Sequence, residues 1–187
     1  YFALKKRLAA FYRDERMKYC TAKTGFVCWA EVQAAGVSIA QMAESDIAAL
    51  AVTFEPWHKT TRQYEEYYAQ QQRGERDVFV AKLGGAVAGY VTLLVSSGYL
   101  PFRDQGIPEV ADLNVIAEHQ RKGIGSALVY AAERLARARG CTALGIGVEQ
   151  SPAYAAANRL YPSLGFEPDG RGVTATDNEL HFLKPLG

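Results

Sequence analysis

The chain is poor in cysteine: among its 187 residues only Cys20, Cys28 and Cys141 carry a thiol. Three cannot all pair with one another, and none stands in a Cys-x-x-Cys or Cys/His cluster. Neither a disulfide scaffold nor a bound metal is therefore expected, and a reducing, cytoplasmic setting is. His58, His119 and His181 are scattered and add no ligand cluster. Long apolar runs are missing as well. The longest fall far short of the ~20 residues that span a bilayer, and no apolar segment with a small-residue cleavage site lies near the start, so neither membrane nor secretion is indicated. Charge of one sign is also absent. The formal net charge is +1, and without a basic field no nucleic-acid partner is expected. What remains is ordinary globular composition, 49% hydrophobic and 22% charged, at a length that suits one compact domain with an appendage. Only the first 35 residues are lopsided, with seven basic side chains against three acidic ones.

Residues 1–20 read as a helix with Phe2, Leu4, Leu8, Phe11 and Tyr12 on its apolar side. Residues 21–36, broken by Gly25 and Gly36, show no sustained period and read as a connector or irregular edge. The expected division is thus an N-terminal extension over 1–36 and a compact domain over 37–187. Within the latter, 37–42 alternates like a strand, and Glu44, Ser45 and Asp46 offer caps for a helix reaching Phe54. A second helix is predicted over 61–73. Runs 77–83 and 86–95, joined by Gly84-Gly85, form the best hairpin in the chain, because two glycines supply the positive φ angles of a tight turn. After a loop over 96–108 come a buried strand over 109–115, a helix from 126 to about 139, a strand over 142–148 and a helix over 153–164 ended by Gly165. Phe166 and the run 178–184 suggest a closing antiparallel pair. The order implies a mixed α/β fold, with helices covering a largely antiparallel sheet.

Chemistry concentrates in Gln120-Arg121-Lys122-Gly123-Ile124-Gly125, between the strand ending at Val115 and the helix beginning at Ser126. Two glycines let backbone approach a bulky anion, and the first amides of the following helix have no intrahelical partner. The helix dipole adds partial positive charge there, and Arg121 and Lys122 add two full charges. The dinucleotide fingerprint needs a third glycine, and the P-loop needs Gly-Lys-Ser/Thr; here Lys122 precedes its glycine, so neither pattern is met.

A strand, a Q-x-x-G-x-G loop, a helix, a second strand and a helix ending in Leu160-Tyr161-x-x-Leu164-Gly165-Phe166 resembles the GCN5-related N-acetyltransferase (GNAT) superfamily over 37–186. The resemblance implies a GNAT-like sheet and acetyl-coenzyme A as co-substrate. It further implies that Gln120, Arg121, Lys122, Gly123, Ile124, Gly125 and Ser126 hold the pyrophosphate. By the same resemblance Leu113, Asn114 and Val115 contact the thioester and pantetheine arm through main chain, and Asn158 touches coenzyme A. Tyr161 matches the family tyrosine that donates a proton to the coenzyme A sulfur, a task suited to a phenol that stays neutral at pH 7.

Acetyl transfer to an amine also needs a base. Glu109 and Asp112 precede the cofactor end of their strand, and a regular strand would send residues three apart to opposite faces. The position of the acidic base in histone-acetylating members points to Glu109, with Asp112 and Glu149 as alternatives. Aromatic and acidic residues between Phe54 and Tyr68, with Tyr99, Phe102 and Asp104, favour a cationic acceptor. The expected activity is direct acetylation of a primary amine of a small molecule. A protein acetyltransferase acting on lysine or an N-terminus, and a non-catalytic acetyl-coenzyme A sensor, are the alternatives, and a homodimer stays open.

Overall fold

The computed structural model describes residues 2–11 and 16–186. Helix α1 (Phe2–Phe11) and helix α2 (Arg16–Ala34) precede strand β1 (Val37–Gln41). Tyr12 of the expected apolar side lies outside the described residues, as do the side chains of Leu4, Leu8 and Phe11. Where the sequence suggested a connector over 21–36, α2 continues as helix to Ala34. Gly25 is buried inside that helix because α2 lies hard against a later helix: a Cβ at Gly25 would stand 3.2 Å from Tyr130 Cβ. A residue that reads as a helix breaker is here a contact residue, and tertiary packing overrides its propensity. Phe26 and Trp29 pack around the Tyr130 ring, and Val32 enters the main core.

After β1 come α3 (Ile47–Phe54) and α4 (Thr61–Arg73). The Thr60 hydroxyl caps α4 by accepting from Gln63 N at 3.2 Å, and Gly74, at φ 71°, closes it. Strands β2 (Arg76–Leu83) and β3 (Ala86–Leu94) form the expected hairpin, with Gly84 and Gly85 at φ 57° and 87°. The loop that follows holds a single helical turn, α5 (Leu100–Arg103), and β4 (Glu109–Val115) leads to α6 (Ile124–Ala138). Then come β5 (Ala143–Glu149), α7 (Ala155–Ser163), β6 (Glu167–Val173) and β7 (Glu179–Pro185).

The seven strands make one sheet in the order β1-β2-β3-β4-β5-β7-β6. Two apolar clusters flank it. On one face α2 and α6 cover Ala81, Val91, Leu93, Val110 and Ile146; on the other, α3 and α4 cover Val78, Val80, Val87 and Tyr90. β3 is buried on both faces, which explains its nearly continuous apolar run. Among the described residues no helix is long and apolar enough to cross a membrane.

Every strand pair is antiparallel except β4–β5, which the α6 crossover makes parallel. That pair is brief: Glu109 faces Gly145 and Val110 faces Ile146, and there the register ends. β5 stays with β7 as far as Glu149, whereas β4 turns away. The turn is a β-bulge. Against Tyr90 and Thr92 of β3, β4 sets Asn114 and Ala111, one residue more than its partner, and Asp112 absorbs the excess at φ 49°. The sheet therefore opens into a cleft, and the β4 edge facing β5 has no strand partner from Ala111 onward.

Candidate active site

The loop before α6 reverses direction twice, at Arg121 (φ 57°) and at Gly123 (φ 83°). Left-handed residues so placed turn successive amides toward a common point. Among the described residues no side chain caps α6, so the amides of Ile124, Gly125 and Ser126 stay available to an anion. The Gln120 side chain donates to Val115 O at 3.0 Å and ties the loop to the end of β4. Gln120, Arg121, Gly123, Gly125 and Ser126 line a cavity of about 330 Å³ together with Leu113 and Val115. A Cβ on Gly125 would meet Leu160, Val115 and Leu113 at 3.8–3.9 Å, filling the space between the loop and α7. The residues present therefore fit a long phosphorylated group threaded past the helix start.

A second cavity of about 460 Å³ occupies the open side of the cleft. Leu113, Tyr154, Ala157 and Tyr161 line both cavities, so the two meet at the split in the sheet. Tyr161 is buried, packed edge-on against Phe166. Burial alone pushes its phenol well above the ordinary value of 10, so it is neutral across the physiological range.

Glu109 and Asp112 both line the larger cavity, contrary to the opposite faces a regular strand would give them. The bulge resets the alternation between them. Their environments differ. Asp112 accepts from Lys59 Nζ at 2.7 Å, Tyr90 Oη at 2.7 Å, Tyr67 Oη at 2.9 Å and Asn114 Nδ2 at 2.9 Å. Burial opposes its charge, but the hydrogen bonds from Lys59, Tyr90 and Tyr67 and the Lys59 charge win, holding the carboxyl below its ordinary value. The same charge works on its neighbours: burial, then Asp112, push Tyr67 up to about 12. Asp112 thus joins α4 to the bulge of β4. Glu109 is nine-tenths buried and, among the described residues, accepts from Ser97 Oγ alone, at 2.6 Å on Oε2.

Sequence reasoning missed Glu179. It sits on β7 opposite Glu149 in register and lines the same cavity. Burial, followed by repulsion from Asp177, Glu109 and Glu149, raises its carboxyl above the ordinary range. Its seat depends on Gly147, where a Cβ would stand 2.5 Å from Glu179 Oε2. The local signal was thin: only the alternation Glu179, His181 along the last strand.

The remaining expected residues have further neighbours. Lys122 turns to a separate cavity with Glu31, Val32 and His119. Ile124 is buried in the main core, so its side chain serves packing. Asn158 spends its amide on Glu149 O and Tyr154 O, each at 3.2 Å, and accepts from Gln150, tying α7 to the end of β5. Asn114 lines the larger cavity while bonding Asp112. The three cysteines are unpaired, and among the described residues no group of His, Cys, Asp and Glu side chains is placed to hold a metal ion.

A sheet split at its one parallel junction, with a helix start facing the split, is the architecture of an acyltransferase. More narrowly, the chain belongs to the acetyltransferase (GNAT) family, whose model matches residues 44–166. It is 31% identical over 127 residues to GCN5-related N-acetyltransferase 4, chloroplastic, of Arabidopsis thaliana. That match covers 60% of this chain but 43% of the relative, so the chain spans less than half the length of the curated protein it matches. Among solved structures it resembles PaiA N-acetyltransferase of Thermoplasma acidophilum in complex with coenzyme A, at a TM-score of 0.64 and 15% identity over 80% of this chain and 98% of that one. It also resembles the ribosomal-protein-alanine N-acetyltransferase of Brucella melitensis, at 0.63 and 24% over 80% and 99%. At such identities the structural likeness establishes the fold, which is the GNAT-like sheet the motifs implied.

Proposed function

We propose that this chain transfers an acetyl group from acetyl-coenzyme A directly to a primary amine of a small molecule. The observation that carries the reading is the meeting of the two cavities at Leu113 and Tyr161. One cavity ends on an uncapped helix start suited to phosphates; the other is walled by carboxylates suited to an amine. The family membership and the coenzyme A-bound relative support it.

Acetyl-coenzyme A, when bound, supplies the acetyl group as a reactive thioester. Gly123, Gly125 and Ser126 with Arg121 hold its phosphates, and the free edge of β4 at Leu113 aligns its arm. Glu109 accepts the proton that the substrate ammonium must lose before its nitrogen can attack. Asp112 is unsuited to that work, because its lone pairs are engaged and its basicity is lowered; it positions β4 instead. As the N–C bond forms and the C–S bond breaks, nitrogen sheds a second proton and sulfur gains one. Tyr161 stands between as hydrogen-bond donor to the departing sulfur. A phenol raised above 10 is a weaker acid than a thiol near 8.5, so its contribution is stabilisation of developing thiolate charge with relay of the nitrogen's proton, not net acidity.

Tyr161→Phe tests this. Turnover, measured as thiol release, should fall roughly 100-fold or more while coenzyme A affinity by calorimetry changes little. Equal loss of both would assign Tyr161 to packing.

A further inference from the structure

Resting on the acetyl-transfer reading, we propose that the acceptor carries a second positive charge besides the reacting amine, as an aliphatic diamine or polyamine does. The larger cavity is lined by Glu109, Asp112, Glu149 and Glu179 against one cation, Lys59. Lys59 is committed to Asp112 at 2.7 Å, so among the described residues the remaining three carboxylates line the cavity without a lysine or arginine partner there. Among the described residues the one basic group that approaches any of them is buried His181, with Nε2 3.5 Å from Glu179 Oε2 and its ring stacked on Tyr99.

A monoamine requires one carboxylate at most, and it surrenders its charge before attack. Glu109 meets that need. Glu149 and Glu179 then remain as a cross-strand pair of like charge, an arrangement that weakens a sheet unless a cation lies between its members. The site preserves the pair structurally. Gly147 lacks the Cβ that would displace the Glu179 carboxylate, and Glu109, held through Oε2 by Ser97, lines the same cavity. A second ammonium, with an ordinary value near 10.4, keeps its charge at neutral pH and answers Glu149 and Glu179 while the first amine reacts. Exposed Trp57 and Tyr154 at the rim offer aromatic surface to the methylene chain and its charge.

The experiment compares n-butylamine, the corresponding α,ω-diamine and a short peptide with N-terminal alanine, by thiol release at saturating acetyl-coenzyme A. The diamine should exceed the monoamine in kcat/KM by about tenfold or more. That gap should narrow as salt rises from about 20 to about 300 mM, because the second charge is screened. Glu149→Gln and Glu179→Gln should each shrink the diamine-to-monoamine ratio several-fold, with coenzyme A affinity as the folding control. Equal rates for the two amines, a ratio unmoved by either variant, or preference for the alanine peptide would overturn the proposal while leaving acetyl transfer intact. Turnover of none of them by a protein that binds coenzyme A would instead remove acetyl transfer, and this inference with it.

Discussion

Replacing Asp112 by Asn keeps the size of the side chain and tolerates φ 49°, since Asn enters the left-handed region readily, but removes the charge on which Lys59, Tyr67, Tyr90 and Asn114, with Gln63 at 3.5 Å, converge. The Asn carbonyl oxygen can still serve Lys59 and Asn114. Its NH2 then faces Tyr67 and Tyr90, whose hydroxyls must turn and accept, leaving their own protons without partners. The Lys59 ammonium, with its side chain 21% exposed, keeps part of its hydration and loses its counter-charge. Hydrogen bonds to a charged group contribute about 1.5–3 kcal/mol each, and breaking a buried pair costs about 3–5, so a net loss of about 3 kcal/mol is expected after water reaches Lys59. For a chain of this length that is a fall in Tm of about 6–12 °C by calorimetry. The sign of the pH dependence follows from a folded value held below the ordinary 3.8. Stability from the ionised carboxylate is present above the unfolded value and is lost as pH falls through the folded one. The gap between wild type and Asp112→Asn should therefore be full near about pH 6 and narrow steadily below about pH 4. A Tm within about 2 °C of wild type, or a gap independent of pH, would refute the account of Asp112 as a charged anchor.

Gly145→Ala should destabilise by about 1–3 kcal/mol, because its Cβ would stand 2.4–2.5 Å from the Phe102 ring; the urea midpoint reads the loss, and pairing it with Phe102→Leu should recover part of it. Lys184 is 1% exposed and ion-paired to Glu133, which also accepts from Arg137 at 2.7 Å. Lys184→Met should cost less than Glu133→Leu, since the first leaves Glu133 paired with Arg137 whereas the second strands a buried ammonium worth about 3–5 kcal/mol; equal urea midpoints would contradict the buried pairing. Gly25→Leu should lift α2 from α6, seen as faster proteolysis within the first 34 residues while the thiol-release activity of the remaining domain persists longer.

Where local chemistry acts through neighbours in sequence, the elements were legible. Gly84-Gly85 can only make a tight turn between two apolar runs, and Thr60 with Gly74 bounds α4 where the polar–apolar pattern begins and stops. The turn over 120–125 was legible for the same reason, since glycine freedom and free helix amides are properties of adjacent residues. α2 was not, because Gly25 is explained only by Tyr130, more than a hundred positions away. Nor could alternation place Glu109 and Asp112 on one cavity, because the bulge that unites them arises from β3 pairing.

By itself, then, the sequence determined most strands and helices from residue 37 onward, the glycine turn before α6 and the tyrosine before Gly165-Phe166, all of which follow from dihedral preferences and short-range periodicity. The tertiary structure alone decided that Asp112 meets Lys59, Tyr67 and Tyr90, that Lys122 lines a cavity other than the two at the split, that Asn158 bonds Glu149 and Gln150, and that Glu179 joins Glu109 and Glu149 in an acidic wall. These depend on burial and on strand register between distant segments, where the field at a carboxylate is set by whatever the fold brings beside it.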